Sequence, residues 1–101
     1  MPRLLIREGM YYAEKDEEAF FAWLQSISGV TKVVGTPDGL VVTLRSKRLS
    51  KTTLRDLLGL HFRYCLPMQD LAQFETPENN AWFRSPEKYW YARVFGSRRG
   101  R

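Results

Sequence analysis

His61 and Cys65 are the only histidine and the only cysteine in the chain, and they stand four residues apart. On a helix that spacing puts both on one face, which is the minimum geometry for a Cys–His nucleophilic pair. The same stretch also carries Leu54, Leu57, Leu58 and Phe62 at helical spacing, so both residues are expected to lie within an apolar stripe. Burial among hydrocarbon raises a thiol's pKa and leaves it inert, so packing is the expected role of both. A structural zinc site would need four cysteine or histidine ligands, and the chain holds two such residues. The acids Glu14, Asp16, Glu17 and Glu18 cluster at a helix start, where the positive end of the helix dipole already accounts for them. The Gly35–Gly39 turn has neither the lysine nor the hydroxyl of a phosphate-binding loop. The expectation is a protein without catalytic activity, cofactor or metal.

Binding chemistry is better represented. Six of the fourteen aromatic residues fall between Trp82 and Phe95. Trp82, Arg84, Tyr89, Trp90, Tyr91 and Arg93 bring together the three residue types most enriched at interaction hot spots. They sit in two related segments, Thr76-Pro77-Glu78 to Arg84 and Ser85-Pro86-Glu87 to Arg93. A hydroxyl residue, a proline and an acid in that order form a helix-start signal. A small domain needs some of these rings for its core. Trp82-Phe83 is expected to lie inward, and Tyr89-Trp90-Tyr91 to exceed what one buried face can absorb. The expected partner is therefore another protein, bound in a regulatory, adaptor or toxin-neutralising role.

The net charge of +5 is local. Arg45, Lys47, Arg48, Lys51 and Arg55 form one basic run without an acid, and Arg98, Arg99 and Arg101 form another at the tail. Without those eight residues the chain is net negative. Such patches attract phosphates or an acidic protein surface, so nucleic-acid binding through Arg45–Arg55 and the tail arginines Arg98 and Arg99 is the alternative function. A sheet-based RNA platform would carry aromatics on its central strands, and Leu40-Val41-Val42-Thr43-Leu44 has none.

The elements that must position these residues follow from periodicity and turn chemistry. Leu4-Leu5-Ile6 reads as a strand, with a turn at Glu8-Gly9. Asp16 opens a helix whose apolar face is Phe20, Trp23, Leu24 and Ile27, and Ser28-Gly29 closes it. Val30–Val34 and Leu40–Leu44 flank Pro37-Asp38-Gly39, which reads as a β-hairpin. Ser50 caps a second helix with Leu54, Leu57, Leu58, His61, Phe62 and Cys65 inward, and Pro67 limits it. A short helical turn is expected over Met68–Phe74. Pro86–Phe95 is expected to be helical and to stop at Gly96; a strand there would instead produce a split βαβ order.

The order β-α-β-β-α followed by a short aromatic segment specifies an α+β fold, a small and mostly antiparallel sheet with helices packed on one face. With 101 residues, 44% of them apolar and 27% charged, a single globular domain over 1–96 is expected, followed by a disordered basic tail at 97–101. One cysteine and an N-terminal apolar run of three residues point to the reducing cytoplasm and give no membrane span.

Overall fold

The computed structural model of the chain describes residues 2–7 and 14–96. Its elements run β1 (Arg3–Ile6), α1 (Glu14–Ser26), β2 (Val30–Thr36), β3 (Gly39–Leu44), α2 (Lys51–Arg63) and α3 (Asn80–Phe83). A 3₁₀ segment (Gln69–Phe74) precedes α3, and a π-helical turn (Ala92–Gly96) ends the described chain. This is the expected α+β architecture. The turn at Glu8-Gly9 and the tail 97–101 lie outside the described residues.

Alternation along the strands builds the sheet. Leu40, Val42 and Leu44 of β3 point into the core, as do Leu4 and Ile6 of β1. The strand order is β1-β3-β2, antiparallel throughout, with Leu4 opposite Val42 and Val33 opposite Val42 on the other side. A register shift between Val30 and Lys32 bends the edge strand β2. The β2–β3 connection has two residues, Pro37 and Asp38, between the paired Thr36 and Gly39. The Thr36 hydroxyl closes it by donating to the Gly39 carbonyl at 2.8 Å and accepting from the Asp38 N–H at 3.2 Å. Gly39 has φ +136°, and a side chain there would run into the Ile6 carbonyl oxygen of β1, so only glycine suits the position.

Both long helices lay apolar stripes on this sheet. From α1, Phe20 and Leu24 are fully covered, Ile27 just beyond it is buried, and Trp23 packs at the margin. The helix begins at Glu14, so Asp16 lies inside its first turn rather than at the cap. It ends before Gly29, which has φ +94°. On α2, Ser50 is the N-cap, accepting from the Thr53 N–H at 3.1 Å. The buried Thr53 hydroxyl donates to the Ser28 carbonyl at 2.9 Å, tying the start of α2 to the end of α1.

The inward face of α2 is Leu54, Leu57, Leu58, Leu60 and His61, continued by Tyr64. Phe62 and Cys65 are not part of it. Phe62 follows Arg55 by seven residues, two full turns, and so shares the solvent side with that arginine. Cys65 stands beyond the helix end at φ +58°, exposed. There the Cys65 N–H bonds the Phe62 carbonyl at 3.3 Å, and the Leu66 N–H bonds the His61 carbonyl at 2.9 Å. This paired closure is a Schellman motif with cysteine in the place usually held by glycine.

Candidate binding surface

The two related C-terminal segments fold differently, and one position explains the difference. In the first, the Thr76 hydroxyl accepts from the Asn79 N–H at 3.2 Å, while the Asn79 side-chain oxygen accepts from the Thr76 N–H at 2.9 Å. This reciprocal pair is a capping box, with asparagine in the place of the usual glutamate or glutamine. The buried Asn79 amide also donates to the Phe74 carbonyl at 2.9 Å, anchoring the segment to the 3₁₀ turn. In the second segment the equivalent position is Lys88, whose ammonium can only donate. Residues 86–90 therefore form turns, and helical structure resumes at Tyr91. The segment is not a strand. Gly96, at φ +55°, closes it as expected.

These turns assemble seven rings into one connected chain. Phe62 meets Tyr89 at 4.7 Å between centroids, Tyr89 meets Trp90 at 4.9 Å, and Trp90 meets Trp82 at 6.1 Å. Trp82 then touches Phe83, Phe83 touches Phe95 at 4.9 Å, and Phe95 touches Tyr91. Most contacts are edge-to-face, the arrangement the ring quadrupoles favour.

The ring chain has a buried middle and an open end. Phe83 is fully covered, and Trp90 is 4% exposed, its indole N–H donating to the Phe83 carbonyl at 2.7 Å. Trp90 therefore does not present its ring to a partner in this fold; it supports the surface from beneath. Trp82, Tyr91 and Phe95 are half-buried. Tyr89 is 52% exposed and Phe62 38%, and the two touch each other. The Tyr89 hydroxyl lies near Gly59 of α2, 3.9 Å from where a side-chain carbon at that position would stand, with Trp23 alongside. Partial burial pushes this phenol's pKa up, and the charge of nearby Arg55 acts against that shift.

Cations stud the chain of rings. Lys51 lies over Trp82 at 5.3 Å, Arg84 over Phe95 at 4.2 Å, Lys88 over Trp90 at 5.9 Å and Arg93 over Phe62 at 4.5 Å. Arg84 is also engaged within the protein. Its guanidinium grips Glu75 through two 2.7 Å bonds, holding that carboxyl below the usual carboxylate range.

The basic run and the aromatic segment, two separate features of the sequence, are one surface here. Arg48 on the β3–α2 loop pairs with Glu78 at 3.0 Å, Lys51 covers Trp82, and Arg55 reaches the neighbourhood of Tyr89. A shallow groove lined by Arg48, Lys51, Glu78 and Trp82 marks the seam. Arg45 and Lys47 are exposed on the loop itself. Arg98 and Arg99 lie outside the described residues.

His61 and Cys65 do not form a unit. His61 is buried and donates from Nδ1 to the Leu57 carbonyl at 2.7 Å, since a carbonyl can only accept. Burial lowers its pKa, opposed by that bond and by the charge of Asp70. Cys65 is turned to solvent by its left-handed backbone. Among the described residues no three metal-ligating side chains gather, and no helix is long and apolar enough to cross a membrane. No family model, curated protein or solved structure matches the chain.

Proposed function

We propose that this chain is a non-enzymatic binding protein that engages another protein through the surface where Tyr89 and Phe62 meet. The observation that carries this reading is the pairing of two exposed rings at the end of a chain of more deeply buried ones, with Arg93 over Phe62. Rings fixed from behind lose little conformational freedom on binding, which is why tyrosine and arginine recur at hot spots. Trp82, Tyr91 and Arg84 border the surface, and Trp90 braces it. A regulatory, adaptor or toxin-neutralising role matches such a device.

Nucleic-acid binding is the second reading, favoured by the exposed Arg45 and Lys47 beside the start of α2. Two features place it second. Glu78 already occupies Arg48, and the rings meet at 72° rather than forming a flat row for base stacking. The test is affinity capture from nuclease-treated lysate of the source cell, with wild-type chain and with Tyr89→Ala. A protein retained by the wild type and lost by the variant supports the reading. A captured set that Tyr89→Ala leaves unchanged, or capture of nucleic acid dependent on Arg45 and Lys47, overturns it.

A further inference from the structure

We propose that the Tyr89–Phe62 pair receives an acidic segment of the partner protein, which sets an apolar side chain against the two rings while its carboxylates meet Arg55, Lys88 and Arg93. The inference rests on the protein-binding reading and names the chemistry of what is bound. It follows from how charge is distributed along the ring chain. At the Thr76 end two of the three cations are neutralised inside the protein, Arg48 by Glu78 at 3.0 Å and Arg84 by Glu75 at 2.7 Å, while Lys51 lies over Trp82. At the Tyr89 end the pattern changes. Among the described residues Arg55, Lys88 and Arg93 form no ion pair, although all three are exposed.

Two of those three cations are held on rings, Arg93 over Phe62 at 4.5 Å and Lys88 over Trp90 at 5.9 Å. A guanidinium lying on an aromatic face keeps its N–H edge available to a carboxylate while its plane is spent on the ring. The apolar pair is thus rimmed by positive charge that no ion pair among the described residues compensates. A basic or neutral partner would bury those charges unpaired at a large cost, whereas an acidic one matches them. Phosphates offer the same charge, but bases need a free ring face, and Arg93 already covers one face of Phe62.

The experiment uses the full chain and four fluorescently labelled probes. They are a short Asp/Glu-rich peptide with a central Leu-Phe pair, the same peptide with Lys/Arg for the acids, the acidic peptide with serines for the pair, and an oligouridylate. Anisotropy should show the acidic Leu-Phe peptide binding at least about tenfold tighter than each of the other three. The double variant Arg55→Glu/Arg93→Glu should lose about tenfold or more of that affinity, and Lys32→Glu, exposed on the edge strand β2, should lose little. Circular dichroism confirms that each variant is folded. Equal binding of the basic peptide, no binding of the acidic one, or a loss as large from Lys32→Glu overturns the proposal, as does tighter binding of the oligouridylate. If lysate capture still depends on Tyr89 while the acidic peptide does not bind, the acidic assignment fails and the protein-binding reading stands. If neither depends on Tyr89, both fail.

Discussion

Trp90→Ala and Tyr89→Ala remove neighbouring aromatic rings that touch each other, yet the structure assigns them opposite consequences. Trp90 is 4% exposed and wedged between Trp82 and Tyr89, with its N–H on the Phe83 carbonyl. Replacing a buried tryptophan by alanine costs about 3–5 kcal/mol through lost packing and the cavity left behind. The Phe83 carbonyl also loses its donor, which places the expected cost toward the upper end of that range. A domain of this length has a total stability of about 5–15 kcal/mol, so a loss near 5 kcal/mol removes from about a third to all of it. Trp90→Phe keeps one aromatic ring but removes the donor with the other half of the indole, an expected loss of at least about 1–3 kcal/mol. Tyr89, 52% exposed, should cost less than about 1 kcal/mol on truncation. Urea unfolding followed by far-ultraviolet circular dichroism measures all three, the comparison holding where the denaturant slope is constant. A Trp90→Ala protein within about 1 kcal/mol of wild type, or a Tyr89→Ala protein as damaged as Trp90→Ala, would refute the assignment of core and surface.

Three further outcomes follow from local geometry. Gly59→Ala should stabilise by about 0.5–1 kcal/mol, because Gly59 is inside α2 and an added methyl meets Trp23 at 3.7 Å and the Tyr89 hydroxyl at 3.9 Å, both ordinary contacts; a loss in a thermal melt would mean those rings sit closer than described. Cys65→Gly should also stabilise, by about 1 kcal/mol, since Cys65 holds φ +58° at the glycine position of the Schellman turn; no gain in urea midpoint would argue against that backbone. The pKa of His61 is lowered by burial, so the unfolded chain binds more protons below pH about 6.5 and stability should fall on acidification from there until the folded-state pKa is passed. Unfolding measured across pH 5–8 should lose that component of the slope in His61→Gln, and an unchanged slope would contradict it.

The parts of the fold that were legible in the sequence are those set by neighbours along the chain. The apolar face of α1, the Pro37-Asp38 turn, the Ser50 cap and the Gly96 stop all appear where residue chemistry places them. Phe62 follows Leu58 by four residues and so reads as an extension of the stripe, but its two-turn spacing from Arg55 is the stronger signal and places it on the solvent side. The exposure of Cys65 depends on a left-handed turn that glycine usually announces. Within the candidate surface, the aromatic density around Trp82–Phe95 was readable, but not which ring goes inside. That division rests on the Trp90–Phe83 bond, together with the contact of Tyr89 with Phe62, and neither has a local signature. The union of the basic run with the aromatic segment depends on contacts such as Arg48–Glu78, thirty residues apart. The contrast between Asn79 and Lys88 was in plain view within the repeated segment, and it alone explains why only the first copy is pinned by a capping box.

The central claim is that a partner protein touches this chain at Tyr89 and Phe62. Site-specific photocrosslinking in the source cell tests it most directly, with a benzophenone amino acid replacing Tyr89 in one chain, Phe62 in a second and the exposed Asp38 of the β2–β3 turn in a third. The account predicts the same crosslinked protein band from positions 89 and 62 and none from position 38. Crosslinks from position 38 alone, or equal crosslinks from all three, would contradict it.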